Sequence, residues 1–159
     1  MITIWVDADA CPMTIKEFIF KAAERLKIKT ILVANQIIKI PSSPFIHFVQ
    51  VQKQFDAADF YITQNLSSSD LVVTADILLA GEVVKLNAIA IDPRGKLYNQ
   101  ESIADFIAAR QLMQTLREGR MLDGPSGPRP FDPLDKKKFA AMFEKQLNVL
   151  MKKTHHKTI

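Results

Sequence analysis

The 159-residue chain has a single cysteine, Cys11. One thiol cannot close an intrachain disulfide, so no disulfide framework supports the fold, and the composition suits a reducing cytoplasm. Histidine is scarce too: His47, His155 and His156 have no partners at a spacing that binds zinc. No apolar run approaches the ~18 residues needed to cross a membrane. No basic stretch precedes the first apolar run, and Asp7 interrupts it too early for a secretory signal. Internal repeats are missing as well. Together these absences exclude disulfide-stapled, zinc-clasped, membrane-spanning and repeat architectures.

The sequence does carry enough apolar residues, 48% of the total, for one well-packed core. Its net charge is +4, but unevenly distributed. Up to Gly81 there are 7 Lys/Arg against 8 Asp/Glu, and from Glu82 onward 14 against 9. An acidic-to-neutral half is followed by a basic half, which suits attraction of a polyanion, although a solvated basic surface would have the same composition.

Strand and helix patterns alternate along the chain. Residues 2–6 read as a buried strand, and Pro12 stands where a helix begins. Ile15, Phe18, Ile19, Ala22, Ala23 and Leu26 fall on one helical stripe. Residues 30–34 form a second buried strand, and residues 45–51 alternate as a half-exposed one. Asp56 is positioned to cap a helix reaching about residue 66, and residues 71–74, 77–86 and 88–91 read as strand, helix and strand. This order predicts a three-layer α/β/α fold with a mostly parallel central sheet of about five strands. From about residue 101 the chain turns helical: Ser102 caps a helix ending at Gly119, and Phe139, Met142, Phe143, Leu147 and Leu150 line a last helix. Residues 124–130, rich in Gly and Pro, read as irregular. The expected organisation is one domain over residues 1–151 and a polar, disordered tail over 152–159.

Five aspartates stand out against this frame. Asp7 and Asp9 follow the first strand, Asp56 and Asp59 open the second helix, and Asp76 follows the fourth strand. In a parallel α/β sheet, strand carboxyl ends and the starts of the following helices share the ligand-binding edge. Gathered carboxylates raise one another's pKa unless a cation neutralises them, and hard oxygen ligands suit Mg²⁺ or Mn²⁺. Each aspartate also has a plainer reading as a helix cap or first-turn acid, so the argument rests on their convergence. Asp70 precedes its strand and belongs at the opposite edge, as a turn residue.

Asn35 and Arg94 lie at the same edge as the aspartates, Asn35 as a holder of substrate or of a metal-bound water, Arg94 as a phosphate grip. Arg110 and Arg117, seven residues apart on one helix face, could line a nucleic-acid track. For each the alternative is a solvated or turn residue. Lys136, Lys137 and Lys138 open the last helix and read as a solvated face, with phosphate contact as the alternative. Cys11 reads as a small buried residue, because neighbouring carboxylates raise a thiol pKa and no histidine lies nearby in sequence as a base.

The segments Val6-Asp7-Ala8-Asp9-Ala10-Cys11-Pro12, Phe55-Asp56-Ala57-Ala58-Asp59, Asp70-Leu71-Val72-Val73-Thr74-Ala75-Asp76-Ile77 and Gly124-Pro125 with Arg129-Pro130-Phe131 resemble the YaiI/YqxD family of uncharacterised bacterial proteins. That family is similar to PIN-like domains, whose characterised members are mostly Mg²⁺- or Mn²⁺-dependent ribonucleases. The resemblance implies catalytic and metal-binding roles for Asp7, Asp59 and Asp76, with Asp9 or Asp56 as a further ligand, and brings Thr74 into the substrate-binding set. The long extension from about residue 101 departs from the PIN-like pattern.

Three functions follow as expectations. The leading one is a nuclease that uses one or two Mg²⁺ or Mn²⁺ ions to hydrolyse phosphodiesters, in RNA rather than DNA. A second is a haloacid-dehalogenase-like phosphatase with Asp7 as nucleophile and Asp9 as acid/base, though Cys11 replaces the usual Thr or Val and a lysine partner is not evident. The third is a non-catalytic RNA-binding protein that keeps a metal for folding.

Overall fold

A computed structural model describes residues 1–119 and 129–157 of the protein. Strands β1 (Thr3–Asp7), β2 (Lys29–Ala34), β3 (Ile46–Gln50), β4 (Leu71–Val73), β5 (Ile89–Ile91) and β6 (Leu97–Tyr98) form one sheet in the order β3-β2-β1-β4-β5-β6. All neighbours pair in parallel except β5 and β6. The fold is thus the expected α/β type with a mostly parallel sheet. Its sixth strand comes from a hairpin too short to show a two-residue alternation.

The helices are α1 (Met13–Leu26), α2 (Ala57–Asn65), α3 (Ile77–Lys85), α4 (Ile103–Glu118) and α5 (Pro133–Lys157). Strand parity sorts the core into two layers. Ile4, Val6 and Leu32 pack on one face with Ile15 and Ile19 of α1 and Phe139, Phe143 and Leu147 of α5. Trp5, Ile31, Val33 and Val72 pack on the other with Ile62 of α2 and Leu79 and Val83 of α3. Phe18 meets the rings of Phe139 and Phe143 edge-on, at centroid distances of 5.9 and 5.8 Å. The carboxyl-terminal extension therefore completes one face of the sheet core.

Several local expectations change. Ser102 does not cap α4 with its side chain: its hydroxyl donates to Leu97 O and accepts from Asn99 N–H, while Asn99 Oδ1 takes the N–H groups of Glu101 and Ser102. Asp56 occupies the cap position of α2 without a side-chain cap bond. Helix α5 continues to Lys157, where composition alone suggests a disordered tail, and Thr154 Oγ1 donates to Leu150 O within it. Of the segment read as irregular, residues 124–128 lie outside the described residues, and Arg129 and Pro130 belong to no regular element. No helix among the described residues is long and apolar enough to cross a membrane.

Asp70 does lie at the opposite edge, but it is more than a turn residue. It is 3% exposed and accepts from Thr3 N–H at 2.9 Å, Trp5 Nε1 at 3.0 Å and Ser67 N–H at 2.9 Å. A buried carboxylate needs such donors to offset its desolvation.

Candidate functional site

The strand order reverses between β1 and β4: the chain moves outward through β2 and β3, then returns to the other side of β1. Ligand crevices of parallel α/β sheets form at this point, beyond the strand carboxyl ends. Asp7 is the last residue of β1, and Thr74 directly follows β4. Odd-numbered positions of β1 face α2 and α3, as Trp5 shows, and Asp7 continues that parity.

Thr74 is buried, and its hydroxyl joins two of the acids. It donates to Asp7 Oδ2 at 2.8 Å and accepts from Asp76 N–H at 3.0 Å. Both bonds hold the site's geometry, so Thr74 positions Asp7 and Asp76 where a substrate contact was expected of it. Asp76 caps α3, with Oδ1 accepting from Leu78 N–H at 2.9 Å. The plain capping reading of Asp76 is thereby realised on one oxygen. Asp7 Oδ1 and Asp76 Oδ2 accept no hydrogen bond among the described residues.

Electrostatics tie Asp59 to this pair. Burial raises the Asp59 carboxyl from 3.8 to about 6, with further upward pushes from Asp76, Asp7 and Asp56. Burial likewise raises Asp7, against the Thr74 hydrogen bond, and Asp76 and Asp9 push the same way. No basic side chain offsets either shift. The charge of Asp76 thus adds to the upward shift of both Asp7 and Asp59, and that of Asp7 to the shift of Asp59.

The other candidates are placed differently. The backbone leaves β1 in a 3-10 turn over Ala8–Ala10, so Asp9 does not continue the strand. Asp9 is exposed, and its Oδ2 accepts from Asn35 N–H at 2.8 Å, joining the ends of β1 and β2. Asn35 therefore reaches the expected edge with its N–H spent on Asp9 and its carbonyl accepting from Gln50 Nε2. Asp56 is exposed at the start of α2. Among the described residues, no group of three or more Asp, Glu, His or Cys side chains is arranged to hold a metal ion. The carboxylates share an edge, but Thr74, the α3 amide and Asn35 orient several of them individually. Their hard oxygens are of the kind a divalent cation takes, and Asp7 Oδ1 and Asp76 Oδ2 are left without hydrogen-bond donors, but among the described residues the side chains do not form a ready-made metal site. Cys11 is buried, and burial pushes its thiol up to about 12, as expected of an unreactive core residue.

Arg94 follows β5 at this edge, but other groups hold its guanidinium. It pairs with buried Asp135 at 3.0 Å, donates to the carbonyls of Arg129 and Pro130, and lies over the Phe131 ring at 5.8 Å. Arg110 is exposed on α4 and, with Asp76, Arg94 and Lys96, borders a cleft of about 470 Å³. Arg117 is exposed farther along α4 and does not border that cleft. Sequence reasoning missed Lys96, Arg129 and Asp135. Arg129 lies in one of the family-like segments, but nothing local marks Asp135 as its partner.

A family model described as "Uncharacterized BCR, YaiI/YqxD family" matches residues 5–149. A UPF0178 protein of Shewanella amazonensis is 46% identical over 149 residues, covering 94% of this chain and 99% of the relative. A UPF0178 protein of Hydrogenovibrio crunogenus is 47% identical over 144 residues, covering 91% and 94%. One of Geobacter sulfurreducens is 41% identical over 150 residues, covering 94% and 99%. No solved structure gives a significant match. With the family model matching nearly the whole chain and relatives aligned over nearly their full length, the chain belongs to the YaiI/YqxD family.

Proposed function

We propose that the protein is a Mg²⁺- or Mn²⁺-dependent nuclease that hydrolyses phosphodiesters, with RNA as substrate. The observation that carries this reading is the joining of Asp7 and Asp76 through Thr74 at the switch point of the sheet, with Asp59 close enough for their charges to raise its carboxyl and no basic side chain to offset them. Clustered acids without a basic partner destabilise a fold, and a divalent cation is the simplest group that reverses the sign. Asp7, Asp59 and Asp76 would hold one or two ions, and Asp9 or Asp56 would supply a further oxygen. Bound there, such an ion would supply Lewis acidity, which would lower the pKa of a water and stabilise charge on a leaving oxygen.

The protein's own groups supply orientation. Thr74 keeps Asp7 and Asp76 in register through its two hydrogen bonds. Asp59, raised to about 6, is mostly ionised at neutral pH and would offer a carboxylate to a cation there. Lys96 and Arg110 border the cleft that reaches Asp76 and suit contact with a phosphate backbone. Phe55 and Phe60 are exposed beside Asp56 and Asp59, and aromatic faces of this kind stack on bases. The phosphatase reading gains no support, because Asp9 is turned to the Asn35 amide.

The test is cleavage of labelled single- and double-stranded RNA and DNA in Mn²⁺, with Asp7→Asn and Asp76→Asn proteins in parallel. The expected result is RNA cleavage by the unmodified protein and at least ~100-fold slower cleavage by either variant, the scale on which transition-state electrostatics operate. Full activity in a folded variant defeats the assignment. A phosphoryl group trapped on Asp7 would favour the phosphatase, and RNA binding without cleavage the non-catalytic reading.

A further inference from the structure

Beside the carboxylate edge, the turn between β5 and β6 meets the start of α5. Asp92 N–H donates to Lys96 O and Gly95 N–H to Asp92 O, closing the turn. Gly95 has φ +94°, and a Cβ there would stand 2.7 Å from the Lys138 carbonyl carbon. Only glycine allows this approach, and the approach seats Lys138 against the turn that carries Arg94 and Lys96.

From the other side comes Arg129. Its Nη1 and Nη2 bind Asp135 Oδ2 and Oδ1 at 2.8 and 2.6 Å, a two-pronged pair, and Nη1 also reaches Asp132 at 3.0 Å. Arg94 binds the same Asp135 at 3.0 Å. Asp135 is buried, so one buried carboxylate holds two guanidinium groups, and all three residues line a pocket of about 380 Å³. Lys96 and Lys138 complete its wall, both are exposed, and neither forms an ion pair among the described residues. The lining thus carries four cations and one carboxylate. Counting Asp132 and buried Asp92, which border the group, the balance is 4 − 3 = +1.

The carboxylates pair with the two arginines and leave Lys96 and Lys138 without an ion-pair partner among the described residues, so the group has a net positive charge that a further anion would offset. We propose that Arg94, Lys96, Arg129 and Lys138 form a binding pocket for a phosphate group, with the arginines held in place by Asp135 and the lysines closing on the ligand. Guanidinium groups fixed in orientation match phosphate oxygens, and ammonium groups supply unoriented charge. The pocket shares Arg94 and Lys96 with the cleft that reaches Asp76, so a polynucleotide lying across both would have one phosphate here and another at the carboxylates. The phosphate could belong to such a chain or to a small anion, and the experiment separates the two.

The test uses the full chain in EDTA, so it does not depend on any cleavage activity. Binding of a fluorescent, 5′-phosphorylated oligouridylate is followed by anisotropy across a salt series, with pyrophosphate as competitor. In a Lys96→Ala/Lys138→Ala double variant, affinity should fall at least ~10-fold, and the slope of log affinity against log salt should shrink by about 1.4, that is, about 0.7 for each lost contact to a single strand. A Lys21→Ala/Lys145→Ala variant, which removes exposed lysines elsewhere, serves as control. Unchanged thermal midpoints show that the variants are folded. If pyrophosphate displaces the oligonucleotide from unmodified protein but not from the residual complex of the double variant, the pocket accepts a free anion. If the double variant loses affinity and pyrophosphate does not compete, the pocket takes its phosphate as part of a chain. Equal losses in both double variants, no loss in the Lys96/Lys138 variant, or no binding by unmodified protein overturns the proposal. Loss of binding in the Lys96/Lys138 variant with no RNA cleavage by any protein would leave the phosphate pocket standing and remove only the nuclease reading.

Discussion

Replacing Asp59 by Asn should make the folded protein more stable at neutral pH. Asp59 lies half-buried in the first turn of α2, and its carboxyl is raised from 3.8 to about 6 by burial first, then by Asp76, Asp7 and Asp56. Because the folded-state value lies above the unfolded one, the folded protein holds the extra proton between them. The associated stability is complete below about 3.8 and is lost as pH rises through about 6. At 1.36 kcal/mol per unit, a rise of about 2 units corresponds to about 3 kcal/mol. Solvent screening at a partly exposed side chain, and the helix dipole's preference for a first-turn anion, reduce this to about 1–2 kcal/mol. Asparagine keeps the shape and removes the charge. Thermal unfolding in EDTA at pH 7 should therefore give Asp59→Asn a midpoint about 3–6 °C above that of the unmodified protein. At pH 4, where Asp59 is protonated in the folded state, the gain should fall within about 0.5 kcal/mol of zero. On the metal-dependent reading, Mn²⁺ should raise the midpoint of the unmodified protein and have less effect on the variant, since a ligand stabilises only the state that binds it. No gain at pH 7, or the same gain at both pH values, would refute the account of Asp59 as a repelled carboxylate.

Two further perturbations probe the frame around the site. Phe143→Ala empties a fully buried position packed against Phe18 and Phe139; it should cost about 3–5 kcal/mol in urea unfolding and shift one cooperative transition. Early melting of α5 with an unmoved sheet transition would show that the extension is not part of the core. Asp70→Ala removes the acceptor of Thr3, Trp5 and Ser67 at the edge opposite the site. It should cost about 2–4 kcal/mol and alter Trp5 fluorescence, while any cleavage by the folded fraction stays unchanged.

Why some of these features are visible along the chain and others are not can be read from particular residues. The stripe of Ile15, Ile19, Ala22 and Ala23 is a nearest-neighbour pattern that a helix must bury, and all four are buried. The run of residues 71–73 is apolar throughout because a central parallel strand is covered on both faces, and all three are buried. β6 escapes such reasoning because two residues carry no period. The partner of Asp9 is not legible locally, because a 3-10 turn at Ala8–Ala10 sets its direction and its bond is to Asn35, 26 residues away in sequence.

The sequence by itself determined the alternation of strands and helices and the placement of Asp7 at a strand end and of Asp59 and Asp76 at helix starts. These follow from periodicity and from the rule that parallel connections bring strand ends and helix starts together. Only the tertiary structure decided what each polar group does there. A buried polar atom takes whichever partner the folded chain brings within reach, and that partner is often distant in sequence. Hence Thr74 bridges Asp7 across 67 residues, and Arg94, for which the local sequence marks no partner, is oriented by Asp135 across 41.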